Sequence, residues 1–431
     1  MAYLPPHKRQ PSTTASTPIP APNPPPPSLS SSLRSLSLSS PRGRGRGRGA
    51  VGRHPLASTK IFRAAGCISR WFPLPPFSPA GDGEEYILRL EPFPCPPIEH
   101  RTGAKPLALV VASTPGQGSS GSTAAAVTSI AEQFLPDLLA AAERVKAEGA
   151  PKDELVKLSL VARLGTVLFE CQPIRRFIVN YVFSGGSPVS LDELRQAAKA
   201  GEDGSRSQLR KTFYTSLSSE CLDDMERTMV KRIGLDFDSS KKHYHVKVSD
   251  KNRSDSTISC KCTVEEDGSL AIHKVELNQV RHLVEDISCL FKGLDLRLML
   301  SKKRILKNLD SEVENAVKSL VSTAIIDPNV KGGVRWPLGK ESIGERFSIV
   351  GVWHTDYKAF RNETMRLKLR HADRFDHRTS TGGVSDEVTF KLTAISCKLE
   401  EDDLAESAVK EMLESAVQML WDNALNYRVV P

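Results

Sequence analysis

Three positively charged residues, Arg366, Lys368 and Arg370, alternate with the apolar Met365, Leu367 and Leu369. Alternation at period two marks a strand with one buried face, so the three cations project from one side. Downstream, Thr389 and Lys391 hold the polar parity between Val388, Phe390 and Leu392. Asp295 and Arg297 share a side in a segment where Leu294, Leu296, Leu298 and Leu300 alternate. Lining a groove or a barrel lumen, Arg297, Arg366, Lys368 and Arg370 would bind anions through charge-assisted hydrogen bonds. On an open sheet the same residues would form a solvated face.

Other spacings suggest metal or phosphate chemistry and are incomplete. His243-x-His245 puts two imidazoles on one side of a strand, and Cys260-x-Cys262 does so with two thiols. Either is half a zinc site. The cysteines, however, lie on the apolar parity with Ile258 and Val264, which points to buried thiols. Gly116-x-x-x-x-Gly121-Ser122-Thr123 mimics a phosphate-binding loop, but Ser122 stands where the lysine belongs, so it reads as a Gly/Ser linker. The pattern predicts no catalytic residue, no metal and no cofactor.

The charge distribution suggests a partner. The first 81 residues hold eleven Lys or Arg and no acid, the first being Asp82. Removing those eleven from 59 basic residues leaves 48 against 51 acidic, so the net +8 belongs to the tail. Within the tail, Arg42, Arg44, Arg46 and Arg48 alternate with glycine, a mobile array of planar cations suited to phosphates and bases. RNA or an RNA–protein complex is the expected partner. The alternatives are an inert linker, or a transit peptide for a chloroplast or mitochondrion, since a Ser- and Arg-rich, acid-free stretch suits import as well. Without import, the cytoplasm or nucleus is expected. Tyr3, Pro5, Pro6, His7 and Arg9 form an extended, proline-stiffened peptide suited to docking in a groove. Eight scattered cysteines without a C-x-x-C pair suggest a reducing compartment. No apolar run approaches the length of a membrane span.

These features sit in an α+β chain. Residues 1–60 read as a disordered basic tail, and 61–123 as a short strand at Tyr86–Leu90, a loop from Pro92 to Pro106 and the linker. Residues 124–236 read as helical, with apolar spacing from Val127 to Val145 and from Leu155 to Leu168. Ser190-x-x-Glu193 forms a capping box, and further helices are expected at 205–215 and 219–232. Residues 242–431 read as a mostly antiparallel sheet or barrel, with a bulge near His273 and helices at 311–326 and 401–427.

Several long stretches resemble a plant-specific family of uncharacterised proteins. They are Met1-Ala-Tyr-x-Pro-Pro-His-Lys-Arg9, Ile68–Phe72, Gln208–Tyr214, Thr257–Cys262, Lys274–His282, Lys331–Lys340 and Val350–Thr355. The resemblance implies a plant origin and no established activity. Arg281-x4-Asp286, Asp295-Leu-Arg-Leu and Arg370-x-x-Asp373-Arg374 also resemble strands of the tunnel-type RNA triphosphatases, which implies an antiparallel barrel lined with charge. The metal-dependent enzymes need Glu-x-Glu on strands, and here Glu312-Val-Glu314 opens an expected helix, where the two side chains diverge. The resulting reading is a non-enzymatic plant protein associated with RNA or a ribonucleoprotein. The alternatives are a divergent phosphohydrolase using the charged strand face and an organelle-imported structural protein.

Overall fold

The computed structural model describes residues 62–74, 87–112, 123–149, 154–171, 188–198, 209–252, 257–306, 310–401, 403 and 405–427. The Arg-Gly run, the Tyr3–Arg9 peptide and the Gly116–Thr123 linker up to Ser122 lie outside the described residues. Eight long strands form the framework. They are β4 (Glu154–Cys171), β6 (Asp236–Asp250), β7 (Thr257–Val264), β8 (Leu270–Cys289), β9 (Asp295–Leu306), β13 (Phe347–Arg361), β14 (Met365–Asp376) and β15 (Thr381–Leu392). Each pairs antiparallel with two others in the cycle β8-β7-β6-β13-β14-β15-β4-β9-β8. The circuit closes, so the sheet is a barrel. A parallel strand, β1 (Phe62–Leu74), lies against the second half of β8, and the short strands β2 (Ile87–Pro92), β3 (Leu107–Ala112), β10 (Ile325–Ile326), β11 (Val334–Arg335) and β12 (Ser342–Ile343) stand outside the circuit. The expected bulge is present, because Lys274 pairs with Lys261 and Ile272 with Cys262, leaving His273 unpaired between them.

The outer face is apolar and covered. Helices α2 (Thr123–Ala147) and α7 (Glu406–Asn423) pack over β4, β8, β9, β14 and β15. The α7 stripe Val409, Leu413, Val417 and Leu420 is fully buried. At about 1.5–3 kcal/mol per fully buried aliphatic side chain, it holds the helix firmly. On the opposite side, α5 (Ser311–Ser322) covers the outward residues of β6, β7 and β8, including Cys260 and Cys262. Burial pushes the Cys260 thiol up and the Cys262 thiol up to about 12, so neither is poised as a metal ligand.

Some local expectations are corrected. Leu155–Leu168 is not a helix but most of β4. Its outward Leu158, Leu160, Ala162 and Leu164 join the main core, while the inward side carries Val161, Val167 and Phe169. A strand apolar on both faces loses its alternation and mimics a helix. Residues 205–215 give β5 (Leu209–Tyr214), recruited by pairing with β4. The loop from Pro92 to Pro106 contains α1 (Pro96–Thr102), capped by Gly103 at φ 69°. Helix α5 is capped by Asp310, which accepts from the Glu312 amide at 3.1 Å, and stops at Ser322 instead of 326. The capping box at α3 (Leu191–Ala198) forms as expected, with Ser190 and Glu193 exchanging bonds of 3.1 and 3.2 Å. The 219–232 helix is present as α4, with a π-turn over Met225–Met229. The terminal helix spans Glu406–Asn423, within the expected 401–427. No helix among the described residues is long and apolar enough to cross a membrane.

A candidate anion-binding lumen

Alternation directs one set of side chains into the barrel. Beyond Arg163, β4 and β15 separate, and residues 209–217 fill the gap: β5 pairs with β4, and Leu217 bridges to Asp386 of β15. Gly165 marks the crossing. A Cβ there would meet the Tyr214 carbonyl oxygen at 2.1 Å, so only glycine lets the two backbones approach. Here Trp71 of β1, Val167 and Phe169 of β4, and Phe213 of β5 belong to an apolar cluster that also takes in Leu90, Leu194 and Leu209. Trp71 meets Phe169 edge-on at 5.3 Å and donates to Ser288 Oγ at 3.0 Å.

Below this layer the lumen is charged, and its few carboxylates are shared. Glu387 of β15 accepts from Arg374 at 2.7 Å and lies 3.5 Å from Arg370. Burial alone would raise its pKa, but Arg374, Arg163 and Arg370 outweigh it and hold the carboxyl at about 2. Asp286 of β8 takes both arms of Arg297, at 2.5 and 3.0 Å, and Lys211 of β5 at 2.9 Å. The Arg297 guanidinium also lies 4.5 Å from the Phe213 ring centre. Glu276 of β8 meets Lys274 at 2.7 Å, Lys303 at 3.2 Å and Lys261 at 3.3 Å. Burial again opposes its ionisation, and the lysines bring it down to about 2.

Three further cations lack a direct ion pair, although Glu387 acts on Arg163 and Asp286 on Arg281 from a distance. Arg163, Arg281 and Lys368 make no ion pair or hydrogen bond to another described residue, although Lys368 lies 4.1 Å from the Tyr357 ring centre. Burial, joined by Arg370, Arg374 and Arg297, lowers Arg163 to about 10. Burial with Arg163, Arg297 and Arg63 lowers Arg281 to about 9. Both guanidiniums stay charged at neutral pH, at a cost in solvation. Burial, then Arg370, Arg366, Lys261 and Lys303, brings Lys368 to about 7. Buried donors without acceptors add to this: Nε of Arg163, Arg366 and Arg370, and the Thr389 hydroxyl. Such groups are normally satisfied in a folded protein, by water or by a guest, and Glu387 Oε2 is a buried acceptor in the same space that is also without a hydrogen bond.

The structure thus brings Arg297, Lys368 and Arg370 into one lumen and gives them different situations. Arg297 is already neutralised by Asp286. Arg366 bonds through its outer nitrogen to Asp238, which Arg361 also reaches at 3.1 Å. Arg370 shares Glu387, and Lys368 is left over. Asp295 does not act with Arg297; its carboxylate accepts from the Val167 and Cys289 amides, at 2.7 and 2.8 Å, and ties β4, β8 and β9 together. His243 and His245 face the lumen with their Nε2 atoms 2.6 Å apart. Burial and the nearby Lys261, Lys368 and Arg370 lower His243 to about 4, so the pair carries no charge. No cluster of three or more metal-ligating side chains occurs among the described residues. The sequence missed Arg163, which fell in a segment read as helix, and Lys261, Lys303 and Glu387, whose convergence depends on strand register; Arg281 entered only through the resemblance to tunnel-type strands.

A family model described as a domain of unknown function, DUF7903, matches residues 56–424, and the chain belongs to that family. No curated protein matches the sequence. Among solved structures, the chain is similar to the S. pombe Pct1 RNA triphosphatase in complex with the Spt5 CTD, at 9% identity and a TM-score of 0.41, over 70% of this chain and 94% of that one. It is also similar to an adenylate cyclase-like protein from Bacillus halodurans, at 11% identity and a TM-score of 0.22, over 50% and 89% of the two chains. TM-scores this low say nothing about activity.

Proposed function

We propose that this is a non-enzymatic plant protein that associates with RNA or a ribonucleoprotein, and that the barrel lumen receives a phosphate-rich part of the partner. The observation that carries this reading is the set of lumen cations, Arg163, Arg281 and Lys368, that make no direct ion pair with a carboxylate. Phosphate oxygens are the acceptors that match them. The Arg-Gly tail would add sequence-independent affinity. The carboxylates argue for binding over hydrolysis. Glu276, Asp286 and Glu387 are each committed to two or more cations, whereas a divalent ion needs oxygen ligands free to coordinate it.

The test is titration of the full chain with a short 5′-triphosphorylated RNA and with inorganic tripolyphosphate, with and without magnesium. Binding without magnesium, no phosphate release, and loss of tripolyphosphate binding on changing Arg366 and Arg370 together to glutamate are expected. Tripolyphosphate binding unaffected by the double change would remove the lumen from the reading. Magnesium-dependent release, lost on changing Arg163, would establish a phosphohydrolase instead.

A further inference from the structure

Lys368 has the surroundings of a reactive amine. Arg366 and Arg370 flank it on β14, Lys261 and Lys303 face it from β7 and β9, and Thr389 lies opposite on β15. Tyr357 of β13 packs against it, and His243 of β6 faces it uncharged. The lumen carboxylates Glu387 and Glu276 are each held by other cations. Burial and the four surrounding cations disfavour an ammonium here more than the Tyr357 ring face favours it, so at neutral pH the side chain keeps a substantial free-amine fraction. Around it, the Nε–H groups of Arg366 and Arg370 and the Thr389 hydroxyl are buried without an acceptor. The site combines an uncharged nucleophile with donors that lack an anion.

We propose that Lys368 is a carbamylation site, where the amine adds carbon dioxide and the resulting carbamate is held by Arg366, Arg370 and Thr389. The Nζ lone pair attacks the carbon of CO2 and an N–C bond forms. One C–O π bond opens, its electron pair moves to oxygen, and an N–H proton leaves to water. The balance is Lys–NH2 + CO2 → Lys–NH–CO2⁻ + H⁺, with no change of oxidation state. The product places a negative charge where four cations converge, which is why this lysine is favoured over solvent-exposed ones. The inference stands on the environment of Lys368 and does not require that the lumen bind RNA or polyphosphate.

The experiment equilibrates the full chain with 13C-labelled bicarbonate near neutral pH and records its 13C spectrum. Carbamates are then trapped by alkylation with a trialkyloxonium salt and mapped by peptide mass spectrometry. A protein carbamate resonance is expected in the native chain, absent in both Lys368→Arg and Lys368→Met, with the trapped group on the peptide that contains Lys368. Trapping on the native chain needs no variant, so a folding defect cannot mask the result. No resonance, one unchanged in the variants, or adducts confined to exposed lysines such as Lys242 would overturn the proposal. Tripolyphosphate titrated in parallel separates the two readings: binding without an adduct leaves only the polyanion site, and an adduct without binding leaves only the carbamate.

Discussion

Changing Arg163 to methionine should make the protein more stable and a worse binder of polyanions. The guanidinium meets Arg297, Arg370 and Arg374 as like charges, makes no direct ion pair, and feels Glu387 only as a carboxylate already shared by two other arginines. Its pKa falls from 12.5 to about 10, which at ~1.4 kcal/mol per unit puts the cost of holding the charge at roughly 3 kcal/mol. The residue as a whole is only partly buried, so solvent screening reduces this, and on the order of 1–2 kcal/mol is the usable figure. Methionine keeps the apolar stem and removes the charge, while Glu387 retains Arg374 and Arg370. A rise in Tm of roughly 2–4 °C per kcal/mol is expected by differential scanning calorimetry. In isothermal titration of the full chain with tripolyphosphate, the lost charge-assisted bond should cost about 1.5–3 kcal/mol, or roughly 10- to 100-fold in affinity. A structural arginine would show the opposite pattern, with lower Tm and unchanged affinity, and that result would refute the reasoning.

Replacing Arg42, Arg44, Arg46 and Arg48 with alanine should flatten the log–log salt dependence of single-stranded RNA binding by about three units, at roughly 0.7 per phosphate contact. An unchanged slope in filter-binding assays would eliminate the run as a contact. Glu285 on the outer wall is fully buried beside Asp137 and makes no ion pair with a described residue. Burial, followed by the Asp137 carboxyl, pushes it up to about 8. The folded state therefore holds a proton that the unfolded chain releases near its ordinary value. This group's stability is complete below about pH 4.5 and is lost as the pH rises towards 8, by up to ~1.4 kcal/mol per pH unit. Glu285→Gln should remove that slope in denaturant titrations, with its largest gain at the alkaline end; parallel curves for the two proteins would contradict the assignment.

The strands were legible wherever one face is apolar and the other polar. In β14 and β15 the outer Leu367, Leu369, Val388 and Phe390 enter the core, and Lys368 and Thr389 point inward, so alternation is clean. The His273 bulge was legible for the same reason, because the extra residue reverses the parity. β4 was not, since the Phe169 and Val167 side packs against Phe213 and Trp71 while the other side packs into the main core. Nor was β5, where Lys211 and Phe213 find their partners on β8, β4 and β9. Those contacts join residues far apart in the chain, beyond the reach of any local pattern. Within the lumen, residue types were readable and pairings were not. Nothing near Arg297 in sequence distinguishes it from Arg370, yet register sets Asp286 opposite the first and leaves the second to share Glu387 with Arg374.

That difference in pairing shapes what the lumen can do. A strand barrel aims alternate side chains inward from every wall, so substituting cations for carboxylates along the strands changes its chemistry without changing its framework. Among the described residues, the inward carboxylates Glu276 and Asp286 of β8 and Glu387 of β15 stand singly, and each is spanned by cations from neighbouring strands. A divalent ion entering this space would have to displace guanidinium or ammonium groups before it met two oxygens. An anion meets donors already in place, because Arg163, Arg281 and the free Nε of Arg370 would exchange an unpaired, desolvated state for charge-assisted bonds. On the proposed reading, the desolvation incurred when the barrel closes would become a preference for negatively charged guests, strongest where the arginines of β4, β8 and β14 converge.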